Sequence, residues 1–562
     1  MILTNAETVS AYLDKGWWDH RTVDDLFKAA ITTGPDAIAL VDPINRIDMD
    51  GHAPQSLSWA TLDAAVDQVA SNLIKAGLKK DDRILAQLPN TVDAVIVFLA
   101  AARLGLIVSP VVMQYRAHEL RHIIERIEPV AFVTVETFAG FDHAALAREL
   151  ASETTDLRVM HMHMHDGSGL LNGETDTVSL QHFRSNNPIN SAEILTICWT
   201  SGTESRSKGV PRSHAHWVLN ADVIIDATEM TPNDVLLNPF PLVNIGSIGG
   251  LVLPWLQIGA KLVLHHPFDI SIFLEQIQTE RVTYTIAPPA VLGALLKQPA
   301  LMERFDISSM RAVASGSAPL SPWLIETWKS DHNIEITNVF GSNEGSSLFS
   351  TPRSVPDPAE RARYFPRFGA DGVSWNSRAA EVMQSRLIDP DTRAVITEPG
   401  QVGELQLAGA TIISGYWNSP DLNTRAFDAD GWFSTGDLFE IAGTESLSRL
   451  YSFVGRSKEI IMRGGVNISP AELDDLIVDH PKIREAATVG LPDDRLGERI
   501  AVAVVPHDNE TVTLLDISQW LENKGTAIFK RPEFIVTVDR LPRNAMNKVV
   551  RDTLRDVVTA KL

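Results

Sequence analysis

The chain has 562 residues, 44% hydrophobic and 21% charged, with 49 Lys+Arg against 71 Asp+Glu for a formal net charge of −22. That length suggests roughly three or four domain-sized units, and the composition excludes general disorder. The acidic balance argues against a nucleic-acid binder or a polybasic membrane-surface protein, and a single cysteine, Cys198, excludes a disulfide framework or a cysteine-rich metal site.

The first twenty residues carry Glu7, Asp14 and Asp19 and lack a basic start followed by an apolar run, so no signal peptide is expected. The most apolar region, 92–113, is broken by Asp93 and Arg103, so no membrane span is expected either. A cytoplasmic enzyme is the class these features favour. Leu62, Val66, Val69 and Leu73 fall at helical spacing, and Gly77 can close that helix. Residues 83–88 read as a strand. Asn90 can cap a helix that runs to Leu104 and closes at Gly105. A strand over 107–112, a helix over 119–127 and an apolar run over 130–135 follow.

A second series starts at Ile194. Apolar runs at 194–199, 261–264, 284–287, 311–314 and 334–339 are separated by helix-length amphipathic stretches. Such alternation predicts parallel sheet with helices on its faces, an α/β fold. Residues 358–376, rich in Arg, Pro and Gly, read as an irregular insertion, and 403–407 and 431–433 as strands of a β-rich unit. A boundary near Gly455 separates a body, 1–455, from a tail, 456–562. The tail holds 16 basic and 17 acidic residues, so almost all the negative charge lies in the body. Its last 39 residues carry a net +5, which directs attention to an anionic ligand near that end.

Four motifs carry chemistry. Residues 200–210 (Thr200, Ser201, Gly202, Thr203, Glu204, Ser205, Arg206, Ser207, Lys208, Gly209, Val210) follow an apolar strand and precede a helix near His214. Small and hydroxyl residues admit phosphate oxygens to the backbone, and Lys208 adds charge. The spacing is not that of a Walker A loop. Asn338, Phe340, Gly341, Asn343 and Glu344 stand at another strand end, where open α/β sheets place ligands. Phe340 can stack on a base, Asn338 can bond its edge, and Glu344 is a hard oxygen ligand suited to Mg²⁺. Gly431 to Asp437, followed by Gly455, Arg456 and Lys458, is the third motif; Asp437 can accept from two ribose hydroxyls. The fourth, Pro542 to Lys548, lies in the basic tail.

In their order and spacing these motifs resemble the adenylate-forming superfamily, which includes acyl-CoA synthetases, adenylation domains and insect luciferases. The resemblance spans about residues 20–560. The family's Thr-Ser-Gly-Thr-Thr-Gly-x-Pro-Lys-Gly loop is matched by 200–209, its Tyr-Gly-x-Thr-Glu by 340–344 and its Thr-Gly-Asp by 435–437. The hinge motif is matched by 455–458, the C-terminal lysine by Lys548 and an adenine-side loop by Ser315, Gly316, Ser317, Ala318 and Pro319. The resemblance implies two doubly wound α/β subdomains, a β-barrel-like subdomain, and a small α+β C-terminal domain on a hinge. It also implies a two-step reaction. A carboxylate attacks the α-phosphate of ATP, with Mg²⁺, to give an acyl-adenylate and pyrophosphate; the thiol of CoA then attacks the acyl carbon and releases AMP.

By this pattern Asn338, Phe340 and Gly316 hold adenine, Asp437 and Arg456 the ribose, and Thr200, Ser201, Gly202, Thr203 and Lys208 the phosphates. Lys548 and Asn343 act on the phosphates, and Glu344 holds the metal. Lys458 is the hinge, and Gly464 and Gly465 line the path of the pantetheine arm. The sequence departs at Glu204, Ser205 and Ser207 in the phosphate loop, at Asn343, and at Asn547 before the lysine. The acid pocket falls on Asn244, Ile245, Gly246 and Ser247. No aspartate pairs an amino group there, and Gly246, Gly249, Gly250 and Ser247 leave room, which favours a bulky hydrophobic monocarboxylate. The opening at Gly16, Trp17 and Trp18 looks like that of aryl-acid and alicyclic-acid activators. A carrier protein in place of CoA is the alternative acceptor, and a non-catalytic nucleotide binder the alternative class. Among partners, a homodimer is compatible. His161, His163 and His165 read as one face of a strand, and Cys198 as a buried hydrophobe.

Overall fold

The computed structural model describes residues 1–164, 168–200, 207–345, 347–456, 459–463, 466–493, 496–524, 526, 528–544 and 548–562, with backbone alone at 466 and 467. Four sheets of five or more strands organise them. The first runs Lys208–Ser213, Ile194–Thr200, Ile107–Pro110, Arg83–Gln87, Ala131–Thr134, Arg158–His161. Its strands are parallel except at the Lys208–Ser213 edge, which returns antiparallel along Ile194–Thr200. The second has eight strands, in the order Ser347–Ser350, Glu335–Gly341, Ala312–Gly316, Tyr284–Ile286, Val235–Asn238, Lys261–Leu264, Ile38–Val41, Ser56–Ser58. Its interior is parallel and both edges are antiparallel.

The two α/β units do not divide the chain as the sequence pattern suggests. Ile194–Thr200 joins the first sheet through Val108 and Thr196, and the second sheet takes Ile38–Val41 from near the start of the chain. Periodicity reports which residues form a strand, not which neighbour they pair with. The helix Val92–Leu104 is buried almost all round, which accounts for its apolar run. Its two charges are paired inside: Asp93 with Arg46, and Arg103 with Asp24, Asp63 and Asp67. Gly105 ends it in the left-handed region at φ +67.

The third sheet is antiparallel, in the order Tyr364–Pro366, Leu450–Arg456, Phe433–Ile441, Val402–Gly409, Met383–Ile388, Val395–Ile396. Part of the stretch expected to be irregular is ordered here: Pro358–Arg363 is helical and Tyr364–Pro366 is an edge strand. A fourth sheet belongs to the tail. Val466–Ile468, Ile461–Arg463, Gly497–Pro506 and Ile483–Asp493 form it, with Phe534–Thr537 parallel to Gly497–Pro506. Two small apolar clusters pack on it, one with the helices Pro470–Val478 and Leu514–Asn523, the other with Arg551–Lys561. The tail thus has its own core.

Of the alternating histidines, the strand holds His161 alone. His163 turns inward, with Nε2 3.2 Å from Asp93 Oδ2 and its ring stacked on His52 at 4.5 Å; His165 lies outside the described residues. Cys198 is buried, and burial pushes its thiol up to about 12. Among the described residues no helix is long and apolar enough to cross a membrane.

Candidate active site

The phosphate motif runs from the end of one strand to the start of the antiparallel strand paired with it. Thr200 ends one strand and Lys208 begins the next, directly opposite. Helix His214–Thr228 starts six residues later, so its N-terminus is set apart from the motif by a strand that the sequence reading lacked. Ser201, Gly202 and Thr203, with Glu204 to Arg206, lie outside the described residues, as do Lys458, Gly464, Gly465 and Asn547.

The adenine-side residues meet at the ends of two neighbouring parallel strands. Gly316 pairs with Val339, and a Cβ on it would fall 2.1 Å from the Val339 carbonyl oxygen, so no larger residue fits. Ser317 follows at φ +72, and it and Ala318 are exposed beyond the C-terminal end of that strand. Asn338 donates both protons of its amide, to the carbonyls of Arg361 and Ala362, each at 3.0 Å. Its remaining polar group is the carbonyl oxygen, an acceptor suited to an exocyclic amine. Phe340 stands edge-on to Phe439 at 5.1 Å and near Phe453 at 6.4 Å, which joins the second sheet to the third. Gly341 is exposed and pairs with Ser347.

Asp437 and Arg456 face each other on adjacent strands of the third sheet, with Nε 3.3 Å from Oδ1. Burial pushes the Asp437 carboxyl up to about 6, against the opposing pull of Arg456 and Lys548. Lys548 is anchored to Asn544: its N–H donates to Asn544 Oδ1 at 3.0 Å and its carbonyl accepts from the Asn544 N–H at 2.9 Å. The side chain is solvent-exposed. Surrounding protein strips some of its hydration and lowers its pKa; Arg456 lowers it further, while Asp437, Glu459 and Glu344 oppose. Lys548 from the tail, Arg456 and Asp437 from the third sheet, and Glu344 beside the second therefore share one electrostatic environment.

Asn343 ties these residues to the acid segment. Its Oδ1 accepts from the Ile245 N–H at 2.8 Å, and its carbonyl accepts from Arg212 Nη1 at 3.1 Å. Arg212 is fully buried on the strand Lys208–Ser213 and packs on Trp217 at 4.5 Å. It bonds carbonyls rather than a carboxylate, and burial lowers it to about 10. Glu344 is buried and accepts at Oε1 from the Tyr416 hydroxyl at 2.8 Å. Arg212, Tyr416 and Glu459 are neighbours of the site that sequence reasoning missed, and nothing local in the sequence marks them.

In the acid segment Asn244 Oδ1 accepts from the Ser247 N–H at 3.0 Å. The Ser247 hydroxyl is buried, accepting from Asn238 Nδ2 at 2.8 Å and donating to the Phe240 carbonyl at 3.2 Å. Residues Ile248–Val252 form a π-helical turn. Gly249 and Gly250 do not supply the room expected of them. A Cβ on Gly249 would meet Asn220 Nδ2 at 2.6 Å, and one on Gly250 would meet Ile286 Cδ1 at 2.5 Å. Those glycines admit close packing, while Gly246 and Ile245 remain half-buried beside Asn343.

Two α/β sheets, an antiparallel third sheet and a lysine delivered by a small C-terminal unit define an adenylate-forming enzyme. The chain belongs to the AMP-binding enzyme family: the family profile matches residues 27–417, and that of the AMP-binding enzyme C-terminal domain matches 472–548. By family it is an AMP-forming acid–thiol ligase. It is 29% identical over 576 residues to a medium-chain fatty-acid–CoA ligase of Escherichia coli (strain K12), covering 99% of this chain and 94% of the relative. It is 29% identical over 554 residues to a salicyl-AMP ligase/salicyl-S-ArCP synthetase of Mycobacterium tuberculosis (strain ATCC 25618 / H37Rv), covering 97% and 92%. Crystalline ATP-bound MatB from Rhodopseudomonas palustris superposes with a TM-score of 0.77 at 25% identity, covering 96% of this chain and 99% of that one.

The buried Asp437 gives a pH test. Its folded pKa lies above the ordinary 3.8, so folding takes up a proton between about pH 4 and 6. The associated stability is full below about pH 4 and is lost as pH rises through about 6. Conversely, the Asp437 carboxylate is the predominant form only above about pH 6. ATP affinity measured by calorimetry is expected to weaken below about pH 6, and Asp437→Asn is expected to remove that inflection. An unchanged inflection in the variant would assign it to another group.

Proposed function

We propose that this enzyme joins a hydrophobic, ring-containing or branched monocarboxylic acid to AMP and then passes the acyl group to CoA. The observation that carries this reading is that Lys548 of the tail stands within electrostatic reach of Arg456, Asp437 and Glu344. A carboxylate oxygen attacks the α-phosphorus and pyrophosphate leaves. Attack by one anion on another needs charge neutralisation, which the Lys548 ammonium supplies from the tail. Asp437 accepts from the ribose hydroxyls beside Arg456. The free Asn338 carbonyl oxygen accepts from the adenine amine, and Phe340 and Gly316 bound the base. Thr200 to Thr203 and Lys208 line the phosphates.

Glu344 suits a magnesium ion, because Tyr416 occupies one carboxylate oxygen and leaves the other. Among the described residues no group of three or more His, Cys, Asp or Glu could hold a metal ion, so the phosphates themselves would complete its shell. When bound, the ion would neutralise charge on the leaving pyrophosphate.

For the second step the division falls at 455/456, with Lys458 as hinge. Gly464 and Gly465 give a pantetheine arm close passage, and the thiol displaces AMP from the acyl carbon. A cytoplasmic setting is part of this proposal. The apolar Ile245 beside Asn343, and the absence of an acidic partner in 241–250, support a mainly hydrophobic acid. A carrier protein is the second acceptor, favoured by the salicyl-loading relative. Thioester formation with CoA and with a phosphopantetheinylated carrier, across aryl, alicyclic and straight-chain acids, separates the two. Faster acylation of CoA by a cyclic or branched acid is expected, and exclusive acylation of the carrier would overturn the CoA assignment.

A further inference from the structure

Glu344 and Lys208 lie on different elements, yet one side chain touches both. The Tyr416 hydroxyl donates to Glu344 Oε1 at 2.8 Å, and the Lys208 ammonium lies 5.4 Å from the centre of the same ring. The ring is buried and its backbone is fixed. The Tyr416 N–H donates to Asn423 Oδ1 at 2.7 Å, and its carbonyl accepts from Asn423 Nδ2 at 3.3 Å. Gly415, at φ +155, permits this approach, since a Cβ there would fall 2.7 Å from Asn423 Nδ2. The next residue, Trp417, donates its N–H to the Gly209 carbonyl at 2.9 Å, lacing this segment to the strand that carries Lys208.

A phenol is a particular choice of partner for Glu344. A cationic partner would cancel the carboxylate's charge and compete with a metal ion. A neutral hydroxyl fixes the group's orientation and leaves its charge and second oxygen available. The ring face meanwhile attracts the lysine ammonium through its quadrupole, without consuming a hydrogen-bond donor. We propose that Tyr416 is a positioning residue that orients Glu344 toward the magnesium ion of ATP and holds Lys208 toward the phosphates. This rests on the reading above that Glu344 binds that ion.

The test is calorimetric titration of the full chain with ATP, once with excess MgCl₂ and once with EDTA, which needs no knowledge of the acid. The wild type is expected to bind ATP more tightly with magnesium. Tyr416→Phe keeps the ring and is expected to lose roughly 10-fold of that magnesium-dependent gain, the scale of losing an outer-shell partner, at unchanged metal-free affinity. Tyr416→Leu also removes the ring face and is expected to weaken metal-free binding. Circular dichroism and the thermal midpoint report folding separately. A Tyr416→Phe protein with the full magnesium gain, whatever its midpoint, overturns the proposal. Absence of the gain in the wild type, or its persistence in Glu344→Gln, overturns instead the reading on which the proposal rests.

Discussion

Lys548→Ala is expected to slow adenylate formation by roughly 10²–10³-fold, the scale of losing one charge-stabilising donor at a developing anion. The side chain comes from the tail and stands within electrostatic reach of Arg456, Asp437, Glu459 and Glu344. Its exposed ammonium is available to an incoming phosphate and can offset the charge that develops there. It has no part in the second step if the tail must turn to admit the thiol. Thioester formation from a supplied acyl-adenylate is therefore expected to stay within a few-fold of wild type. Single-turnover measurement of the two half-reactions distinguishes the cases. Equal loss in both would place Lys548 in a structural role.

Gly345→Ala is expected to damage both stability and activity. Gly345 has φ +98, and a Cβ on it would fall 1.8 Å from the Thr411 carbonyl oxygen and 2.9 Å from Arg212 Nη1. The left-handed backbone costs a non-glycine residue about 1–2 kcal/mol. Overpacking against backbone adds about 1–3 kcal/mol, since a carbonyl in a packed loop cannot rotate away. Relief of the clash would shift Glu344, the preceding residue, and with it the Arg212–Asn343–Ile245 contacts. A large fall in the thermal midpoint is expected, together with loss of adenylation. Gly400 is the control: its φ is +86 but nothing lies within 4 Å of a Cβ there. Gly400→Ala should carry the backbone strain of about 1–2 kcal/mol alone. Equal midpoints for the two variants would show that the Thr411 contact relaxes at little cost.

Much of the site was legible in the sequence because its residues stand at strand ends. An apolar run followed by small, hydroxyl or acidic residues marks both the strand and what its end presents, as at Thr200 and Gly316 and at Glu344 in the turn beyond Gly341. The illegible part depends on pairing between distant segments. Nothing local in Ile38–Val41 says that it flanks Lys261–Leu264. Nothing near Arg361 says that its carbonyl and that of Ala362 fix the Asn338 amide. Tyr416 and Glu344 are 72 positions apart and meet only in the fold. Gly249 and Gly250 mark the limit of composition: a missing side chain permits a ligand or a neighbour, and here Asn220 and Ile286 occupy the space.

Acid-dependent exchange of labelled pyrophosphate into ATP tests the central claim most directly, because it reports adenylate formation without any thiol. Across a panel of aryl, alicyclic, branched and straight-chain acids, exchange is expected with at least one hydrophobic acid, strongest for a cyclic or branched member, and slowed roughly 10²–10³-fold by Lys548→Ala. ATP binding with no exchange for any acid would contradict the account and leave a nucleotide-binding protein without this chemistry.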